Sequence, residues 1–343
     1  MLGTGGRSSE RYLDRSAKTT DGTRNDAVGG ILEVHPMTIM EALQWGTEQL
    51  KTHEDTDAET GIRLDSPSLD AQVLLAAAME MSKSWIFTHF DADVPPPRLE
   101  RYRAFIARRL QHEPVAYIIG WKEFYGRKFL VNPSVLIPRP ATETLVDVAK
   151  NLAGTSEQER TLFADIGTGS GAIAVTLAAE TGIPVVASDV SPEALDVAKQ
   201  NRERLGMTEQ VDIRTGPLLE PVARMFEKLK EKGRRSPIHH LILCANLPYL
   251  TEHQWSHAQK DVQQFEPRLA LVAGADGLDA YWGLFRELMR MRRTIPHRVS
   301  VLCEIDPAQA ERMPILIRHD FPHARPHLQK DLDGFDRVVI TEL

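Results

Sequence analysis

Apolar positions along this chain recur with two periods, and the change from one to the other divides it. From Thr38 to about residue 112 the spacing is helical: Ile39, Leu43 and Leu50 share one face, Leu69, Val73, Leu74 and Ala77 form a second stripe, and Leu99, Tyr102, Ile106 and Leu110 a third. Polar signals mark the helix starts. Thr38 and Glu41 have capping-box spacing, so that hydroxyl and carboxylate each satisfy a free backbone N–H. Ser66-Pro67 places an N-cap before a proline at the first helical position, where the missing N–H costs nothing. Pro95-Pro96-Pro97 punctuates before the last stripe. The pattern predicts a small helical bundle over residues 37–114.

Residues 115–142, VAYIIGWKEFYGRKFLVNPSVLIPRPAT, change character. β-Formers alternate around Gly120 and Gly126, predicting a hairpin linker that runs into a rigid Pro138-Arg139-Pro140 turn. Over residues 143–343 short apolar runs alternate with amphipathic stretches, which predicts an α/β domain with a mostly parallel sheet. The strands fall at Leu162–Ile166, Val185–Asp189, Leu241–Ala245, Val299–Ile305 and Arg337–Thr341. Helices between them include Pro192–Leu205, capped by Ser191, and Asp279–Arg293. Tyr281, Leu284, Phe285 and Leu288 in the latter form a core stripe.

The first 36 residues are rich in Gly, Ser, Thr and Asn, with balanced charges and no period. A transit peptide is poor in acids and a signal peptide needs an apolar core; this stretch fits neither. It reads as a disordered extension, or as an upstream start with Met37 as the working one.

Composition narrows the class. The 343 residues allow two domains, and 42% hydrophobic with 26% charged residues suits a soluble globular protein. No apolar run approaches the ~18 residues of a membrane span. Cys244 and Cys303 each lie in an apolar stretch, as buried thiols of a reducing compartment do. A net charge of -7 advertises no polyanionic partner. The basic stretch Glu227–Arg235 reads as a solvated helix end and loop rather than a functional patch.

The chemistry begins at LFADIGTGSGAIAVTLAAE, residues 162–180. Gly167, Gly169 and Gly171 follow a strand that ends in an acid and precede a helix. Such a turn lets a ligand approach the backbone where N–H groups and the helix dipole face it. Eighteen residues on, the next strand ends in Asp189, where a carboxylate can accept from both hydroxyls of a ribose. Glycines plus that acid favour a nucleoside ligand over simple tight packing. A dinucleotide fingerprint can be fitted with Ala172 in its last position. The acid entering the turn suits a ligand with a cationic amino-acid tail better than a pyrophosphate. CANLPYL, residues 244–250, decides it: Asn246 follows the third main strand and projects at the carboxyl edge of the sheet, where open α/β sheets bind ligands.

In this order DIGTGSG, SDVSPEAL and NLPY resemble a class I S-adenosylmethionine-dependent methyltransferase, a Rossmann-like fold. Four further stretches, EPVAYIIGWKEFYGRKFLVNPSVLIPRPATETLVD, FEPRLALVAGADGLDAYWGLF, CEIDPAQA and DLDGFDRVV, resemble the HemK/PrmC-type release-factor glutamine methyltransferases over residues 37–343. The resemblance implies S-adenosyl-L-methionine as methyl donor. It implies N5-methylation of the glutamine in the Gly-Gly-Gln loop of peptide-chain release factors, a cytoplasmic role in translation termination. It places Gly167, Thr168, Gly169, Ser170 and Gly171 along the methionine moiety, Asp189 on the ribose and Asn246 in cofactor contact. Asn246, Leu247, Pro248 and Tyr249 would hold the acceptor glutamine, with Asn246 and Tyr249 catalytic and no metal. Neither a direct nucleic-acid partner nor a membrane is implied. The family's usual Pro-Pro is Leu247-Pro248 here, and its Gly-Asp before the adenine contact is Gly216-Pro217-Leu218, which makes Leu218 the candidate at that end.

Other residues carry two readings each. His319, His323 and His327 have helical metal-ligand spacing, but Pro322 and Pro326 break such a helix and favour a surface loop. Arg139 and Glu143 form either a cap pair or, as the resemblance implies, part of the active-site closure. Glu304 and Asp306 either line the pocket or cap the next element. Two other functions use parts of the same pattern: N6-adenine methylation of DNA or rRNA, and an adenosine-nucleoside-binding partner protein without transfer, against which an intact Asn246 and Tyr249 speak.

Overall fold

The computed structural model describes residues 37–56, 66–154, 160–231 and 236–343. The proposed extension 1–36 and the end of the Glu227–Arg235 stretch lie outside them.

Helices Ile39–Thr56, Pro67–Met79 and Pro96–Leu110 pack around Ile39, Leu50, Leu74, Tyr102 and Ile106, all essentially sealed from solvent. The capping box is present: Thr38 N–H donates to Glu41 Oε2 (2.8 Å) and Glu41 N–H to Thr38 Oγ1 (3.3 Å). Ser66 stands at the next N-cap without a side-chain bond, Pro67 following at the first helical position.

The linker departs from a pure hairpin at its start. Val115–Ile119 is helical, because Pro114 sets the entry and Gly120 ends the turn at φ +83°. Strands β1 (Trp121–Phe124) and β2 (Arg127–Leu130) then pair antiparallel as expected. A 3-10 turn, Pro140–Thr142, leads into helix Glu143–Ala153.

The remaining strands form a seven-stranded sheet among the described residues: β3 (Thr161–Ile166), β4 (Val185–Asp189), β5 (Val211–Thr215), β6 (His240–Ala245), β7 (Arg298–Glu304), β8 (His327–Lys330) and β9 (Asp336–Glu342). Their order is β5-β4-β3-β6-β7-β9-β8, parallel except where β9 pairs with β7 and β8. The chain steps from β3 outward to β5, then returns to the other side of β3. The crevice at that reversal is where an open α/β sheet takes its ligand.

Two strands escape the sequence pattern. β5 reads VDIRT, an edge with a single fully buried residue, and β8 reads HLQK and is exposed throughout. Asn246 therefore follows the fourth strand of the sheet, not the third. Its position is unaffected, because β6 lies directly beside β3 with Ala245 opposite Ile166.

Both sheet faces are covered, and the two cysteines divide between them: Cys303 packs with Leu243 and Tyr281, Cys244 with Phe163 and Val185. Opposite faces exclude a bond between these buried thiols. No described helix is long and apolar enough to cross a membrane.

Candidate active site

The turn after β3 is built by glycine. Gly167, Gly169 and Gly171 sit at φ +74°, +54° and +80°, which side chains with a Cβ rarely adopt. Beneath it Asp165 is fully buried, its Oδ2 accepting from Thr168 Oγ1 (2.6 Å) and Ala174 N–H (3.1 Å). Burial pushes this carboxyl up to about 7, the two hydrogen bonds pull against that, and the charge of Asp189 adds to the rise. Thr168 thus turns its hydroxyl inward to shape the turn.

Asp189 closes the turn from the neighbouring strand. Its Oδ2 accepts from Gly169 N–H (2.9 Å) and its Oδ1 from Ser191 N–H (3.0 Å). Each oxygen keeps a lone pair for a further donor, the requirement for holding a vicinal diol. Ser191 also caps helix Pro192–Arg204, as expected, by accepting from Ala194 N–H at 3.1 Å.

A cavity of about 250 Å³ opens above these groups. Gly167–Ser170, Asp189, Gly216–Leu218 and Asn246–Pro248 line it together; Gly171 does not, its Cα facing Ala198 instead. The donor set fits S-adenosylmethionine: a Cβ on Gly169 would enter open space, the Asp189 carboxylate lines the cavity as an acceptor suited to a diol, and Leu218 adds an apolar side chain to the same lining. Tyr249 is not among the lining residues; its hydroxyl faces Glu304, and burial raises its pKa.

Asn246 is fixed at the junction. Its Nδ2 donates to Thr142 Oγ1 (3.2 Å), and both residues line the cavity. With its nitrogen so engaged, the side chain offers Oδ1 as the acceptor on its other limb.

Residues 41–120 match the family model described as PrmC N-terminal domain, and residues 142–231 the model described as Ribosomal protein L11 methyltransferase (PrmA). A release factor glutamine methyltransferase of Bacillus cereus is 32% identical over 309 residues, 90% of this chain and 100% of that one. The Bacillus subtilis protein of the same description is 34% identical over 305 residues (88% and 96%), and that of Koribacter versatilis 40% over 215 (62% and 71%). The chain belongs to the release factor glutamine methyltransferase family. Its doubly wound sheet with the glycine turn at the crevice is the class I S-adenosylmethionine-dependent methyltransferase fold.

The stretches that carried the family resemblance meet around the Asn-Leu-Pro-Tyr turn. Gln309, from DPAQA, donates through Nε2 to the carbonyls of Tyr249 (3.0 Å), Gly277 (3.2 Å) and Asp276 (3.3 Å), clamping ADGLD against the turn. Tyr281 is more than a core residue. Its hydroxyl donates to the Glu304 carbonyl and receives Leu247 N–H at 3.4 Å, so a buried phenol supports the turn from below. Arg139 does not pair with Glu143: it binds Glu266 of FEPRLAL, while Glu143 Oε1 accepts from Tyr125 N–H (2.7 Å) and anchors the hairpin.

Glu304 is buried at 1% exposure beside the turn rather than on the cavity wall, and Asp306 caps the 3-10 turn Pro307–Gln309. Burial pushes the Glu304 carboxyl up to about 7 against the opposing pull of Thr142, Arg337, Arg139 and Tyr249. His319 lies in the last turn of helix Arg312–Asp320 and His327 opens β8, so a single loop does not hold all three histidines. Asn201 carried no sequence signal, being one amide in a polar helix. It is fully buried, pairs with both backbone groups of Leu130 and donates to Ser170 O (2.9 Å), locking the hairpin to the glycine turn.

Proposed function

We propose that this protein transfers a methyl group from S-adenosylmethionine to the side-chain amide of the glutamine in the Gly-Gly-Gln loop of a peptide-chain release factor. The observation that carries the reading is Asn246, held at the cavity by Thr142 with its amide oxygen left as acceptor, in a chain of this family. S-adenosylmethionine, when bound, supplies an electrophilic methyl group on a sulfonium. Gly167–Ser170 hold its amino-acid tail, Asp189 its ribose and Leu218 its base.

The acceptor poses the harder problem, because an amide nitrogen has its lone pair delocalised into the carbonyl. Asn246 Oδ1 and the Leu247 carbonyl accept its two N–H bonds, favour the positive charge that builds on nitrogen and aim it into the cavity. Pro248 stiffens the turn, and Tyr249, whose side chain lies outside the cavity lining against Glu304 instead of walling the amide as the resemblance implied, anchors the turn from behind. Leucine at 247 preserves the contact, since the group used is a backbone carbonyl, with some loss of the rigidity a second proline would give.

The partner is a folded protein that inserts one loop. Reading a duplex requires several phosphates to be neutralised and a base to be flipped, for which an acidic chain with a helical appendage is poorly equipped. Neither nucleic acid nor membrane belongs to the reading, and the site of action is the cytoplasm. Incubation with labelled S-adenosylmethionine and a panel of release factors tests it. The Gly-Gly-Gln peptide gains the mass of one CH₂, and a glutamine-to-alanine change in that loop removes the label. Label on adenine in DNA or rRNA, or label that survives the glutamine change, would overturn it.

A further inference from the structure

An asparagine can present either end of its amide, and only one end is useful here. Facing a glutamine –NH₂, the oxygen accepts and the –NH₂ merely opposes donor to donor. The rotamer therefore has to be set by something outside the reacting pair.

Thr142 is placed to set it. Its hydroxyl has one proton and two lone pairs, and it receives Asn246 Nδ2 at 3.2 Å. On its other side lies Glu304, whose carboxyl takes a side-chain hydrogen bond from Thr142; β6 and β7 run parallel with Ala245 opposite Cys303, so Asn246 and Glu304 leave the two strand ends side by side. The Glu304 carboxyl is sealed from solvent, its Oε2 has no hydrogen-bond partner among the described residues, and the Thr142 and Tyr249 hydroxyls both favour its ionised form. A Thr142 proton committed to that carboxylate leaves only a lone pair for Asn246. Asn246 must then point its N–H bonds at Thr142 and its oxygen at the acceptor.

We propose that Thr142 is a positioning residue whose hydroxyl, held between Glu304 and Asn246, fixes the orientation of the Asn246 amide for the methyl acceptor. The inference rests on the acceptor role given to Asn246 above. The orienting state is ionised Glu304; a proton on the carboxyl lets it donate to Thr142 and frees Asn246 to flip. The groups facing Glu304 are Thr142 from the linker turn, Tyr249 from the catalytic turn, Tyr281 from helix Asp279–Met291, Arg139 ahead of the linker turn and Arg337 from β9. Of these, Thr142 and Tyr249 favour the ionised form as hydrogen-bond donors and the two arginines favour it by their charge.

Thr142→Val keeps the shape and removes the hydroxyl. Its kcat should fall about 10- to 100-fold, the size of a misorientation effect, with the S-adenosylmethionine dissociation constant within twofold of wild type by calorimetry. Thr142→Ser should restore most of the loss. In ¹⁵N-labelled protein, the Asn246 side-chain amide signal should move in Thr142→Val and return in Thr142→Ser. The wild-type rate should fall as pH drops through the ionisation of Glu304, and Thr142→Val should lack that limb. Asn246→Ala is measured alongside: if it keeps more than half of the wild-type rate, the acceptor role itself is wrong and the inference falls with it. If Asn246→Ala is inactive while Thr142→Val retains the wild-type rate, or loses it only through cofactor binding, the acceptor role stands and the orienting role of Thr142 is overturned.

Discussion

Arg139 and Glu266 stand 127 residues apart in the chain, and their side chains form one ion pair, with Arg139 lining the cavity and the Glu266 carboxylate almost fully buried. Glu266 also receives Ile137 N–H at 3.2 Å. The pair fastens the Pro-Arg-Pro turn to the segment Glu266–Ala270, whose Pro267, Leu269 and Ala270 complete the cavity wall.

Removing Arg139 leaves a buried carboxylate with one backbone donor. Breaking a fully buried pair costs about 3–5 kcal/mol, but Arg139 is 36% exposed, so solvent reduces the loss for Arg139→Ala to about 2 kcal/mol. Burial already raises the Glu266 pKa, and loss of the arginine raises it further. Urea denaturation should show a larger deficit at pH 8 than at pH 5, with Arg139→Ala/Glu266→Gln recovering much of it. An equal deficit at both pH values would mean the charge is not what the arginine offsets.

Asp189→Ala should act on cofactor affinity. It removes an ionised acceptor for two donors, worth about 1.5–3 kcal/mol, or about 10- to 100-fold in dissociation constant. It also frees Gly169 N–H, so part of the loss is disorder in the glycine turn. Calorimetry with S-adenosylmethionine measures this, and an unchanged constant would remove Asp189 from the ribose position.

Much of the site was legible because its chemistry is local. Glycines before a helix, an acid ending the next strand and a proline-stiffened asparagine turn are each contiguous in sequence, and folding only brings them to one edge. The supports were illegible for the opposite reason. Gln309, Asn201 and Glu266 act on backbone groups 60, 71 and 129 residues away, and nothing local separates them from surface amides and acids. Tyr281 was legible as core by its helical period, but a period says nothing about where a phenol's oxygen ends. β5 and β8 were missed because edge strands bury too little to alternate.

The buried carboxyl of Glu304 should leave a signature in stability. Its folded pKa, about 7, lies above its unfolded value near 4.5, so between these the folded protein binds more protons and stability falls as pH rises. The penalty is absent below about pH 4.5 and complete above about pH 7, on the order of 3 kcal/mol at most. Glu304→Gln cannot ionise, so the stability difference, wild type minus variant, should shrink or turn negative from pH 5 to pH 8. Paired urea titrations measure it; a difference independent of pH would show that Glu304 stays in one protonation state throughout.

Gly277 offers the sharpest steric test of the clamp on the Asn-Leu-Pro-Tyr turn. It sits at φ +74°, and a Cβ there would fall 2.0 Å from the Tyr249 carbonyl oxygen and 2.7 Å from Gln309 Nε2. No rotamer relieves the first contact, because the backbone fixes the Cβ position and its partner is a backbone carbonyl. Gly277→Ala must therefore push the Asn-Leu-Pro-Tyr turn outward as well as adopt left-handed backbone, which alone costs about 1–2 kcal/mol. Gly206→Ala is the matched control: φ +72°, with nothing within 4 Å of its Cβ, so it carries the backbone cost alone. Gly277→Ala should lose clearly more stability than Gly206→Ala. Its methyl-transfer rate should drop about 100-fold, as a displacement of about 1 Å at a reacting group does, while S-adenosylmethionine still binds, because Gly277 lies outside the cavity lining. Equal rates in the two variants would show that the clamp on Tyr249 does not position the turn.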